Sequence, residues 1–87
     1  MGKKVMYTEQ NRRAFRAVSH FAPAGFTLQV IDNDHFLTVK ASEKAFMSLT
    51  GEDKVRAVEY MVRAKQALED TGAIVLLVRE GGEDVHG

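Results

Sequence analysis

The absence of cysteine from a chain of only 87 residues limits the folds that are open to it. A domain of this length buries only a little over ~60% of the surface that its unfolded chain exposes, so its hydrophobic core is modest. Without cysteine, no disulfide can reinforce that core, and thiolate metal sites and a cysteine nucleophile are excluded as well. We therefore expect one small domain that depends on its packed core alone.

The composition is that of a globular protein, with 45% apolar residues. No apolar run approaches the ~18 residues that a membrane span needs. No apolar stretch follows Lys3 and Lys4 either, so we expect a soluble protein without a secretory signal. Together with the lack of cysteine, these features favour the cytoplasm. We expect residues 1–80 to form the domain and the polar residues 81–87 to form a flexible tail.

Hydrophobic periodicity divides the first half of the chain into a strand, a helix and a hairpin. Lys3–Tyr7 alternates like a short strand. Glu9–Ala22 has the spacing of an amphipathic helix, and Thr8 before it has the chemistry of an N-cap. Phe26–Val30 and Phe36–Ala41 alternate with period two around a turn rich in Asp and Asn, which predicts a β-hairpin.

The second half of the chain predicts a longer helix and a final strand. Ser42–Leu49 is either a short helix capped by Ser42 or a third hairpin strand. The next segment, from Thr50 to about Thr71, is helical, and Gly72 is the residue expected just past a helix end. Ala73–Arg79 has the strongest strand character in the chain. We expect the main apolar face of the long helix to hold Val55, Val58, Met61, Val62 and Leu68.

This order of elements predicts an α+β fold, a small two-layer sandwich of the ferredoxin-like βαββαβ type. If Lys3–Tyr7 is not a strand, the alternative is αββαβ with a three-stranded antiparallel sheet. In both cases the helices cover one face of the sheet.

The polar face of the first helix is the first candidate binding site. Arg12, Arg16 and His20 are spaced four residues apart, and Arg13 lies beside them. Arginine forks match phosphate and carboxylate oxygens, so this face is a candidate for an acidic protein or a nucleic acid. The alternative is an ordinary solvated helix face. The chain has zero net charge, although residues 1–44 carry +3, and this balance argues against a strongly nucleic-acid-binding domain.

The final strand is the second candidate, because it is apolar on both sides. We expect Ile74, Leu76 and Val78 to point into the core, which leaves Val75 and Leu77 on the other face. Those two side chains then need a cover, either a second subunit or another protein. The alternative is a central strand over which residues 42–50 fold.

Two further patterns have simple structural interpretations. Ala57, Tyr60, Ala64 and Ala67 form a second seam on the long helix, which we assign to contact with the first helix. The turn at residues 32–35 offers carboxylates and an imidazole, but Leu37 stands where a calcium loop of the EF-hand type needs glycine. We assign no metal site and no cofactor.

The sequence favours a protein-interaction module over an enzyme. It contains no nucleophile elbow and no glycine-rich phosphate loop, and we assign no catalytic residue. We expect a non-catalytic dimeric adaptor, or a regulator or inhibitor that docks on a larger protein. A nucleic-acid-binding protein that uses the arginine face is the second hypothesis. A small-molecule sensor or a dimeric enzyme with a site at its interface is the third.

Overall fold

The computed structural model of the protein describes residues 7–33 and 35–80, with the side chain of Glu80 excepted. The predicted tail at residues 81–87 lies outside this range, as does the predicted strand Lys3–Tyr7 apart from Tyr7 itself. The elements in chain order are α1 (Glu9–Ala17), a 3-10 turn (Ser19–Phe21), β1 (Leu28–Asp32), β2 (Leu37–Ser42), α2 (Glu43–Met47), α3 (Gly51–Glu69) and β3 (Val75–Glu80).

The strands form a three-stranded mixed sheet in the order β1-β2-β3. The predicted hairpin is confirmed: β1 pairs antiparallel with β2, from Leu28 opposite Ala41 to Asp32 opposite Leu37. The third strand pairs parallel to β2, with Val75 beside Leu37, so the alternative of a three-stranded sheet is right in strand number but wrong in expecting antiparallel pairing throughout. The physical reason is that α2 and α3 form a crossover, which returns the chain to start β3 at the same end as β2.

The result is a small α+β domain whose helices pack on the sheet. The ferredoxin-like arrangement is not confirmed by the described residues, in which β2 and β3 pair directly. The helix α3 contacts α1, β2 and β3. The core comprises two groups of buried side chains: Phe26, Ala41, Phe46, Ala57, Tyr60 and Met61, and Leu37, Val39, Leu68 and Val75.

The ends of the short helices follow from local hydrogen bonds. Thr8 caps α1 as predicted, because its Oγ1 accepts from the N–H of Asn11 at 3.2 Å. This helix stops at Ala17, earlier than predicted, and Ser19 Oγ donates to the Arg16 carbonyl at 2.8 Å as the chain tightens into the 3-10 turn. The short-helix interpretation of residues 42–49 is confirmed, with Ser42 as the cap of α2.

The long helix α3 lies between two glycines with positive φ. Gly51 begins the helix at φ 54°, and Gly72 follows its end at φ 99°, where residues with a side chain are strained. Within the described part of the chain, the predicted cap residue Thr50 makes no side-chain cap hydrogen bond. None of the helices in the two described ranges is long and apolar enough to cross a membrane.

Candidate functional site

The two faces of the sheet are defined by β2, whose side chains alternate cleanly. Leu37, Val39 and Ala41 are buried against the helices, whereas Thr38 and Lys40 on the other face are half-buried. We call these faces the helix side and the outer side. Residues directly beside each other in paired strands share a face, so the register with β2 fixes the orientation of β3.

This register inverts the predicted orientation of β3. It places Val75 and Leu77 on the helix side and Leu76 and Val78 on the outer side. Val75 is only 4% exposed, whereas Leu76 is 48% exposed and Ile74, just before the strand, is 65% exposed. The predicted burial of Ile74 and Leu76 and the predicted exposure of Val75 were therefore wrong. The interface role of Val75 and Leu77 stays a prediction.

In the described part of the chain, β3 lies at one edge of the sheet. The N–H of Leu37 donates to the carbonyl of Ile74 at 2.8 Å, so the even-numbered residues of this strand turn their backbone groups toward β2. The odd-numbered residues Val75, Leu77 and Arg79 turn theirs away. No strand pairs with that side of β3 within residues 7–33 and 35–80. We call this line of backbone groups the β3 edge.

The buried face of α3 also differs from the predicted one. The helix buries three members of the predicted second seam together with Met61 and Leu68: Ala57, Tyr60, Met61, Ala64 and Leu68. The exposed fractions of Val55, Val58 and Val62 are 67%, 46% and 55%, so their predicted burial was wrong. Small alanines let α3 approach its neighbours closely, and the bulkier valines remain outside. We call Val55, Val58 and Val62 the valine ridge.

Two members of the valine ridge, Val58 and Val62, lie on the same side of α3 as Lys54. The Nζ of Lys54 lies 5.6 Å from the ring centroid of Phe46, and the guanidinium of Arg79 in β3 lies 5.7 Å from the same ring. Val58 and Val62 follow Lys54 at four and eight positions, which places all three on one side of the helix. The side of α3 that carries Val58 and Val62 therefore includes Lys54, whose Nζ lies near the same ring as Arg79 of β3.

The opposite flank of α3 is covered by α1 and the 3-10 turn. The guanidinium of Arg63 lies 4.3 Å from the ring centroid of Phe21, and the rings of Phe15 and Tyr60 are 6.5 Å apart. The predicted contact between the alanine seam and the first helix agrees with this packing. One flank of α3 is thus packed with aromatic rings, while the other exposes valines.

The predicted basic face of α1 is engaged by neighbouring side chains. The guanidinium of Arg12 lies 5.5 Å from the ring centroid of Tyr7, and Arg13 pairs with Glu9 at 3.7 Å. The pair between Arg13 and Glu9 is highly exposed, and such pairs contribute little to stability. These contacts use part of the charge that a nucleic acid or an acidic protein would need.

His20 does not extend the arginine face as an α-helix would. It lies in the 3-10 turn after α1 has ended, and its ring stacks on Phe21 with centroids 4.2 Å apart. The expected spacing of four residues from Arg16 to His20 therefore does not carry over into one continuous helix face. The binding role of Arg12, Arg13, Arg16 and His20 stays a prediction.

The turn between β1 and β2 uses its polar side chains within the fold. Asn33 Nδ2 donates to Thr38 Oγ1 at 2.8 Å, and Asp32 Oδ2 accepts from the N–H of Tyr7 at 3.2 Å. Among the described residues, which do not include Asp34, no three His, Asp or Glu side chains come together to hold a metal ion.

A small depression lies at the end of the β1–β2 hairpin that is away from its turn. Its volume is about 130 Å³, below the roughly 300–1,000 Å³ that is typical of small-molecule pockets. It therefore gives little support to a sensor or an enzyme site within one copy of the chain. The depression is lined by Thr27, Gln29, Lys40, Ala41 and Ser42.

Asn11 is a structural residue that the sequence patterns did not reveal. It is only 4% exposed, and its Nδ2 donates to Thr71 Oγ1 just beyond the end of α3. Its Oδ1 accepts from the N–H of Thr8 at 2.8 Å, which completes a capping box. An amide three residues after a Thr cap was the available signal, since Gln or Glu usually stands there.

In comparisons with known proteins, no protein-family model, no curated protein and no solved structure matches the chain.

Proposed function

We propose that the protein is a small, non-catalytic interaction module that binds protein through the β3 edge and the valine ridge. It would act as a dimeric adaptor or as a regulator that docks on a larger protein. The observation that carries this proposal is that β3 has no strand partner on its outer edge within residues 7–33 and 35–80, while β3 and α3 both expose aliphatic side chains.

Unpaired strand edges are templates for another chain, and soluble proteins usually protect them. Lysine, proline, a bulge or an inward charge are the common protections. From Val75 to Val78 the strand has none of these side chains, and its first charged residue is Arg79. β1 differs, because it has the exposed polar residues Gln29 and Asp32.

The side chains around the β3 edge supply the apolar surface that an interface needs. Leu76 and Val78 lie on the outer side of the strand, Leu77 lies on the helix side, and the valine ridge is exposed on α3. Covering one half-exposed aliphatic side chain contributes on the order of 1 kcal/mol. Several such side chains on one side of a small domain are typical of a protein interaction site.

The experiment compares added charge at this surface with the same charge elsewhere. Leu77→Lys and Val62→Lys place an ammonium group in the proposed contact, and Gln29→Lys places one on the exposed face of β1. A photoreactive amino acid at Leu76 reports contacts in the native cell extract, and light scattering reports self-association of the pure protein.

We expect Leu77→Lys and Val62→Lys to weaken association at least tenfold, while Gln29→Lys leaves it unchanged. Circular dichroism should show that all three variants remain folded, because each position is exposed. If Leu77→Lys and Val62→Lys both associate as strongly as the wild type, the proposal is wrong.

A further inference from the structure

We infer that the partner at the β3 edge is a second copy of the chain, paired antiparallel through β3 with a two-fold axis at Leu77. This inference rests on the proposed function of the β3 edge and specifies its occupant. A two-fold interface brings the same surface of both copies together, so that surface must complement itself. The backbone, the strand side chains and the helix layer each meet this requirement.

The backbone permits only some registers. In an antiparallel ladder, residues whose N–H and C=O point toward the partner strand must lie opposite each other. At the β3 edge these are Val75, Leu77 and Arg79. With the axis at Leu77, that residue lies opposite its own copy, and Val75 lies opposite Arg79 at both ends. In this register all three outward-pointing residues have a partner within the second copy's strand. If the two-fold axis lay at Leu76 or Val78 instead, one of the three would have no partner within that strand.

The side chains complement each other in the same register. On the outer side, Leu76 lies opposite Val78 of the second copy, and the two-fold axis repeats that contact. This pair does not exchange hydrogen bonds, so its Cα atoms come within about 4.5 Å. On the helix side, Leu77 meets its own copy. Both faces of the new ladder are then aliphatic at the centre and charged only at Arg79, near the ends.

The helix layer fits this pairing. The helix α3 contacts both β2 and β3, so its axis lies over the space between them. Strands are about 4.8 Å apart, so two copies joined at β3 place their α3 axes roughly 10 Å apart. Helices pack at 8–10 Å. Pairing of the strands would thus bring the two α3 helices to contact distance.

The valine ridge lies at the level where the two helices meet. Leu68 packs with Val75 at one end of β3, and Lys54 shares the ring of Phe46 with Arg79 at the other. Leu77 is midway along the strand, so it lies level with the middle of this helical stretch, close to Val62. The ridge of each copy then covers the ridge of the other, which accounts for valines that the chain leaves exposed.

Cysteine crosslinking tests the register directly, because the chain has no cysteine of its own. Leu76→Cys, Leu77→Cys and Val78→Cys are each equilibrated in a glutathione redox buffer, and the covalent dimer is measured by non-reducing electrophoresis. Residues directly opposite have Cα atoms about 5.5 Å apart or closer, within disulfide range, whereas diagonal neighbours at about 7–8 Å are outside it. Gln29→Cys is the control for random collision.

We expect Leu77→Cys to form at least fivefold more covalent dimer than either other strand variant. A mixture of Leu76→Cys and Val78→Cys should crosslink between the two proteins, although neither links well to itself. Preferential self-linkage at Leu76 or Val78 would overturn the register. A wild type that stays monomeric by light scattering at its highest soluble concentration would overturn the homodimer.

The outcomes separate this inference from the proposed function. If the pure protein is monomeric but Leu77→Lys abolishes a photo-crosslinked complex in extract, the interaction surface stands and the second copy is wrong. If the pure protein dimerises and Leu77→Lys has no effect on the dimer, both the surface and the register are wrong.

Discussion

The neighbouring strands β2 and β3 lie in parallel register, yet they display their faces in different ways. In β2, the buried Leu37 and Val39 alternate with the polar residues Thr38 and Lys40. In β3, four consecutive aliphatic residues occupy both faces. The comparison shows that the sequence of a strand predicts which side chains face the core only where apolar and polar residues alternate. In a strand that is aliphatic on both faces, as β3 is, the sequence pattern does not indicate which face is buried.

The largest expected difference between the strands is in the free energy of unfolding. Leu37→Ala should cost about 2–5 kcal/mol, because a side chain with no exposed surface leaves a cavity. Leu76→Ala should cost less than about 1 kcal/mol, because its side chain is 48% exposed. Urea denaturation at a concentration where the protein is monomeric measures both. Equal losses in the two variants would contradict the assignment of the faces of β3.

Much of the fold was predictable because local signals agreed with the tertiary structure. The alternation around the Asp- and Asn-rich turn predicted the hairpin, and the hydroxyls of Thr8 and Ser42 predicted two helix starts. The parallel pairing of β3 was not predictable in this way. It depends on where the crossover places the last strand, and no local pattern in Ala73–Arg79 encodes that position.

The candidate site was predictable as a segment but not residue by residue. The aliphatic character of the last strand predicted an interface, which stays a prediction, and within the described residues β3 lies at an edge of the sheet. The exposed residues differ, since Leu76 and Val78 replace Val75. On α3, the error came from ranking valine above alanine as a core residue. Ala57 and Ala64 are fully buried because their size allows close packing, a property that hydrophobicity alone does not rank.

A smaller effect is expected at Asn11, which connects α1 to the end of α3 through its hydrogen bond to Thr71. Asn11→Ala should cost about 1–3 kcal/mol, because it removes the hydrogen bonds that the buried amide makes to Thr8 and Thr71. Asn33→Ala is the matched control, because Asn33 is exposed and its bond to Thr38 is at the surface. We expect a loss within about 0.5 kcal/mol for the control. Urea denaturation with similar losses for both variants would show that the buried amide contributes no more than a surface one.

The smallest expected effect is the pH dependence conferred by Tyr60, which lies on the covered side and is 3% exposed. Burial raises the pKa of its phenol above the ordinary value of 10.0, and the nearby Tyr7 raises it further. The folded protein therefore holds this proton more tightly than the unfolded chain does. The resulting contribution to stability is complete below about pH 9 and is lost as the pH rises above about 10, where the unfolded phenol ionises.

Tyr60→Phe should make the alkaline fall in the urea midpoint shallower, because phenylalanine keeps the buried ring and has no proton to lose. Tyr7→Phe removes only the smaller cause and should retain most of the fall. All other side chains are the same in the three proteins, so the difference between the Tyr60→Phe and wild-type curves isolates the phenol of Tyr60. If Tyr60→Phe and the wild type fall in parallel, water reaches the phenol in the folded protein. The helix side is then less well sealed than the clean alternation of β2 implies.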